Sequence, residues 1–156
     1  MKPVTVAVEV AAPAERVWAV VTDIGNAQSN IPAIRKVEFL GETRHGLGAR
    51  WRETRVMFGR EATEDLEITE WRPPREYVVR ARNHGCDYCS VVRVHARGAA
   101  STLEFEFSAR PLTLFAKIMA GLTLPLIGKA IRKALAEDLA ALKHRCEEQR
   151  DGAPKP

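Results

Sequence analysis

The chain has no apolar run long enough to cross a bilayer, no even set of cysteines and no lysine–serine pair behind its one glycine-flanked loop. Each lack removes a class of protein. The longest apolar segment, Ile118 to Gly128, lies between Lys117 and Lys129 and is interrupted by Pro125. It falls well short of the roughly 20 apolar residues that a spanning helix needs. Three cysteines argue against a disulfide framework. The alternation that begins at Val4 leaves no room for a targeting peptide after Met1, so a reducing cytoplasm is the expected setting. "GLG" at Gly46 to Gly48 is followed by no helical pattern and reads as a turn, not a phosphate loop.

Charge of one sign is also missing. The net charge of +4 arises from 24 Lys and Arg scattered among 20 Asp and Glu. Without an accompanying motif of stacking aromatics, the excess reads as a solvated basic surface and no nucleic-acid partner is expected. Cys86 and Cys89 stand three apart in a strand pattern, which turns their sulfurs to opposite faces, and no second ligand pair has suitable spacing. No metal and no cofactor are expected. Cys146 is placed at the surface of the terminal helix. His45, His84, His95 and His144 fall in two turns, an outward strand position and the helix end. None has an evident serine or cysteine to activate, which leaves a hydrolytic triad without support.

What is present is periodicity. Val4, Val6, Val8 and Val10 alternate with Thr5, Ala7 and Glu9, the signature of a half-buried strand. Pro13 then opens a short helix with Val17, Trp18 and Val21 on one stripe, and a second helical turn follows up to Asn30. Six strands are predicted next: Ile34 to Glu42, Ala49 to Met57, Arg60 to Trp71, Glu76 to Arg82, Cys86 to Arg97, and Ala100 to Ala109. Their connections are short and carry Gly or Pro, which favours an antiparallel meander over parallel crossovers. After Pro111 the pattern is helical to the end. Leu112, Phe115, Met119, Leu122 and Leu126 form one stripe, Ile131, Leu135, Leu139 and Leu142 its continuation, and Gly121 and Pro125 should bend the helix. Residues 1–150 are expected to form one domain and 151–156 a disordered tail.

Two-residue turns fix which side chains share a face. A turn at Phe58 and Gly59 sets Glu53 opposite Glu64, Arg55 opposite Ala62 and Trp51 opposite Leu66. Because Leu66 and Ile68 are apolar, their face should be the inner one, and Glu53, Arg55 and Glu64 come with it. Turns at His84–Gly85 and Gly98–Ala99 add Tyr77, Val79 and Ala81, then Tyr88, Ser90, Val92 and Val94, then Leu103, Phe105 and Phe107. Carboxylates inside a dry core are rare and almost always paired. The polar trio therefore points either to a water-accessible pocket, with Arg55 partly neutralising Glu53 and Glu64, or to a bulge that breaks the parity.

The order of strand, two short helices, six-stranded meander and long terminal helix resembles the helix-grip fold of the START-like (SRPBCC) superfamily. "VAAPAERVWAVVTDI", "GLGARWRET" and "ITEWRPPREYVV" resemble its opening signature, third-strand entry and fourth-to-fifth strand link. The chain is most similar to the bacterial polyketide cyclase/dehydrase-like group. The resemblance covers about residues 2 to 148 and implies an α+β fold. In it a curved seven-stranded antiparallel sheet wraps a long C-terminal helix, with a hydrophobic cavity between them. Members bind lipids, sterols, quinones, hormones or polyketides, and a minority catalyse cyclisation or dehydration. The quoted motifs carry scaffold residues such as Pro13, Trp18, Asp23 and Gly48, so they imply a fold and a binding mode, not a reaction.

Three readings follow for the pocket. In the first it holds a hydrophobic small molecule against Trp51, Leu66, Tyr77, Val79, Tyr88, Ser90, Val92, Phe105 and Phe107. On the helix, Phe115, Met119 and Leu122 complete its walls. In the second it is a cyclase or dehydratase site, with Glu53 or Glu64 as general base and Arg55 as electrophilic stabiliser. In the third, lipid or quinone is delivered to a membrane partner and the kinked apolar segment makes transient membrane contact; the reading preferred for that segment is that it caps the cavity mouth, its apolar stripe covering the sheet. The ligand's identity and the oligomeric state leave no mark in the sequence.

Overall fold

A computed structural model describes residues 2–148; the tail expected at 151–156 lies outside the described residues. Strand β1 (Val4–Val10) leads into helix α1 (Ala14–Val21), a single 3-10 turn (Ile24–Asn26) and helix α2 (Ala27–Asn30). Six strands follow: β2 (Ile34–Phe39), β3 (Arg50–Met57), β4 (Arg60–Arg72), β5 (Glu76–Asn83), β6 (Cys86–Arg97) and β7 (Ala100–Pro111). Helix α3 (Leu114–Glu148) ends the described chain. All seven strands form one antiparallel sheet in the order β1-β7-β6-β5-β4-β3-β2. Strand β2 stops at Phe39, three residues before the predicted end, and β7 runs on to Pro111.

The meander has this register because each turn has the residues it needs. Phe58 and Gly59 take φ of 52° and 74°, both left-handed, and close the β3–β4 hairpin in two residues. His84 and Gly85 do the same for β5 and β6 at φ of 48° and 73°. Glu53 therefore pairs with Glu64 and Trp51 with Leu66, as the parity of the strands predicts. A bulge does occur, but after Ile68, beyond the polar residues. It leaves Glu64 on the inner face and turns Trp71, not Glu70, toward Tyr77. Trp71 then packs with Trp18 of α1 at a centroid distance of 5.1 Å, and both rings lie 5.9 Å from Tyr77.

The dry core lies where α1 and the second half of α3 cover β1, β7 and β6. Val10, Val17, Leu103, Leu139 and Cys146 are the innermost side chains. Cys146 corrects the expectation of a surface thiol: it stands four residues beyond Leu142 and continues the buried stripe. Burial pushes its thiol up to about 11. The second half of α3 is tied to β1 and the residue after it by three hydrogen bonds to backbone. Arg132 Nη1 donates to the Thr5 carbonyl at 2.9 Å, Lys143 Nζ donates to the Glu9 carbonyl at 2.7 Å, and Glu147 Oε1 accepts from Ala11 N–H at 2.8 Å.

Helix α3 is bent, as Pro125 predicts. Its first limb, Leu114–Thr123, meets the second, Leu126–Glu148, at 81°. Among the described residues no single helix is long and apolar enough to cross a membrane. The face of the first limb differs from the expectation. Phe115, Leu122 and Leu126 were to cover the sheet but are 74%, 73% and 81% exposed. The helix instead turns its small residues inward: Ala116, Ala120 and Thr123 on the first limb, then Ala130 and Ala134 on the second. Short side chains facing the concave sheet leave a gap there, since close packing needs atoms to fill it.

Candidate functional site

That gap is a cavity of about 1000 Å³ between the sheet and α3, at the upper end of the usual range for small-molecule sites. Strand parity delivers its walls. Trp51, Leu66, Tyr77 and Val79 come from β3, β4 and β5; Tyr88, Ser90 and Val92 from β6; Phe105 and Phe107 from β7. Tyr88 stacks on Phe107 with centroids 6.1 Å apart. On α3, Phe115 and Met119 line the cavity while also reaching solvent, and so stand at its rim. Leu122 does not line it: it lies on the outward side of the limb, because the inward positions are taken by alanine and threonine. Sequence reading missed Ile24 and Ile31 of the α1–α2 region, and Ile131 and Leu142 of α3, all of which line the cavity.

Glu53, Arg55 and Glu64 all line the cavity, and a fourth charged residue organises them. Arg55 Nη2 donates to Asp138 Oδ2 at 2.6 Å, a charge-assisted hydrogen bond from β3 to α3. The anticipated neutralisation of both glutamates by Arg55 is thus corrected. Its principal partner is Asp138, its Nε lies 3.9 Å from Glu53 Oε1, and Glu64 has no ion-pair partner among the described residues. Asp138 could have been found from spacing: it follows Ile131 by seven residues and precedes Leu142 by four, which puts it on the buried stripe.

The environment of each group sets what it can do. The Glu53 side chain is 12% exposed and that of Asp138 7%. Burial pushes the Glu53 carboxyl above the usual carboxylate range, opposed by the Arg55 charge and by Trp51 Nε1, which donates to Glu53 Oε2 at 3.2 Å. Burial likewise raises Asp138, again against the pull of Arg55. The Arg55 Nε–H is buried without an acceptor among the described residues. The pocket therefore offers a free donor beside a carboxyl that gains a proton more readily than usual.

The two tyrosines divide. Tyr77 Oη donates to the Val21 carbonyl at 2.7 Å and is committed to holding α1 on the sheet. Tyr88 faces the cavity, and burial together with neighbouring Cys86 pushes its phenol up to about 12, so it stays a neutral donor. Cys86 lines the cavity and Cys89 does not, in keeping with opposite strand faces. No group of three or more potential metal ligands occurs among the described residues. On the outer face of the sheet Arg93 bridges Glu76, Glu104 and Glu106.

Comparison with known proteins places this geometry. The family model described as polyketide cyclase/dehydrase and lipid transport matches residues 1–147. No curated protein matches the chain in sequence. Among solved structures, a protein from Thermus thermophilus superposes with a TM-score of 0.78 at 18% identity, over 97% of this chain and 99% of that one. The Zhui aromatase/cyclase from Streptomyces sp. R1128 superposes with a TM-score of 0.74 at 19% identity, over 98% and 99%. A START superfamily protein from Mycobacterium smegmatis gives 0.74 at 17% identity, over 94% and 98%. At such identities the likeness speaks for the fold alone.

Proposed function

The chain belongs to the polyketide cyclase/dehydrase and lipid transport family, and from that premise we propose that it binds a hydrophobic small molecule between the sheet and α3. The ligand is of lipid, quinone or polyketide-like character, and its polar end is oriented by Arg55, Glu53 and Asp138. The observation that carries this reading is the cavity itself: apolar and aromatic walls with a few charged groups gathered on one side. Small-molecule sites usually combine a greasy wall with a few convergent polar groups. Native mass spectrometry of freshly purified protein tests it. A co-purifying mass that Val79→Trp displaces supports the reading. Protein that emerges empty, and that binds no quinone, fatty acid or aromatic polyketide at micromolar concentration, removes it.

A second reading, cyclase or dehydratase, is favoured by one specific observation: a carboxyl raised by burial lies 3.9 Å from a guanidinium N–H with no other acceptor among the described residues. A substrate carbonyl accepting from Arg55 would lose electron density at its neighbouring carbon, and Glu53 would take the proton from there. A base raised by burial suits that transfer better than an ordinary carboxylate. Glu53→Gln separates the two readings. Retained binding with lost turnover means catalysis; bound ligand that never changes mass in the wild type means a carrier.

A further inference from the structure

The first limb of α3 presents large apolar side chains to solvent that neither fold nor cavity uses. Leu114, Ile118 and Leu122, and Leu126 at the start of the second limb, are each more than half exposed. Soluble domains rarely leave so much contiguous apolar surface without a partner. Phe58 at the β3–β4 turn, Phe115, Met119 and Ile127 are exposed and also line the cavity. The apolar surface and the cavity mouth therefore merge at one rim.

The chain segment that carries this limb has charge of one sign. From Phe107 to Ala136 there is no Asp or Glu, while Arg110, Lys117, Lys129, Arg132 and Lys133 supply five cations, all exposed. Lys117 and Lys129, which flank the apolar limb, have no ion-pair partner among the described residues. Basic residues beside an apolar helical face, on a limb too short to span a bilayer, are the features of a helix that lies in a membrane interface. A symmetric pairing of two copies through the same patch would bring these lysines against each other. An anionic lipid surface meets them with opposite charge.

We propose that the outward face of the first limb of α3, with the Phe58 turn, docks onto an anionic bilayer and sets the cavity mouth against the lipid. A hydrophobic ligand then passes between bilayer and cavity without crossing water. The docking surface is read from exposure and charge; only its purpose rests on the cavity reading above.

Co-sedimentation of the full chain with vesicles of phosphatidylcholine, alone or mixed with phosphatidylglycerol, tests the docking. Nile red fluorescence in lipid-free buffer tests the cavity separately. The wild type is expected to pellet with the mixed vesicles and far less with neutral ones. Lys117→Ala with Lys129→Ala should weaken that binding roughly 25-fold, about fivefold for each lysine, and leave Nile red binding unchanged. Ile118→Asp with Leu122→Asp, at exposed positions that fold without them, should abolish pelleting. Wild type left in the supernatant with anionic vesicles overturns the proposal, as does undiminished pelleting of either double variant. A lipid-free dimer in sedimentation velocity that the aspartates dissolve also overturns it, by assigning the patch to a second copy. Loss of Nile red binding with pelleting retained would sink the cavity reading and leave the docking standing.

Discussion

Arg55 on β3 and Asp138 on α3 face each other across the cavity and share a 2.6 Å hydrogen bond. This pair is a direct polar tie between the far side of the sheet and the helix that roofs it. Its members are unequally buried, with side-chain exposures of 25% and 7%, so removing one is not equivalent to removing the other. Arg55→Ala strands a carboxylate away from water and is expected to cost about 3 kcal/mol, the low end for a broken buried pair. Asp138→Asn keeps an acceptor for Arg55 and should cost about 1 kcal/mol. Urea unfolding of both variants and the double variant measures this; costs that simply add would mean that the two residues do not interact.

The pH dependence of stability carries the signature of Glu53. Its folded carboxyl is raised by burial, so the native state binds its proton more tightly than the unfolded chain does. The contribution is most favourable below the ordinary carboxylate value and is lost as pH rises through the raised one. Glu53→Gln, which cannot ionise, should lack that loss. The variant should therefore gain stability relative to the wild type over the pH window from the ordinary carboxylate value up to the raised one. Chemical denaturation at four pH values across this window reads the difference, and a constant offset would contradict the assignment.

Tyr77 and Tyr88 are expected to separate structure from binding. Tyr77→Phe leaves the Val21 carbonyl without its donor and should lower stability by about 1 kcal/mol, with ligand affinity nearly unchanged. Tyr88→Phe should leave the melting temperature within a degree or two and alter affinity for any ligand bearing a carbonyl or hydroxyl. Thermal melts paired with titrations decide it; an equal loss of affinity in both variants would count against the division.

Gly85 and Gly59 both hold left-handed backbone, at φ of 73° and 74°, but only one is crowded. A Cβ at Gly85 would lie 2.8 Å from Thr113 Oγ1, whereas at Gly59 nothing lies within 4 Å. Gly59→Ala should cost about 1 kcal/mol for conformation alone. Gly85→Ala should cost more, and Thr113→Ala should recover the excess. Calorimetry of the three variants checks the order.

The sheet was legible because its information is local. Two-residue turns with Gly at the left-handed position fix register, and register fixes every inner side chain from Trp51 to Phe107. Helix α3 was legible only in part. Two apolar stripes compete on its first limb, one of Leu, Ile and Phe and one of Ala and Thr, and periodicity alone favours burying the larger. The opposite arrangement holds: Leu114, Ile118 and Leu122 face away from the sheet, and Phe115 and Met119 reach only the cavity rim. Asp138 and Cys146 were hidden for a related reason. Both lie in a charged helical segment that reads as solvated, and only their spacing from Leu142 marks them as inward.

The three hydrogen bonds that fasten the second limb of α3 along β1 also decide where the molecule can yield. A beam pinned at Thr5, Glu9 and Ala11 is held at three points, whereas among the described residues the short arm from Leu114 to Thr123 makes no hydrogen bond to the sheet. Were a ligand to enter past that arm, the dry core under Leu139 would keep its packing.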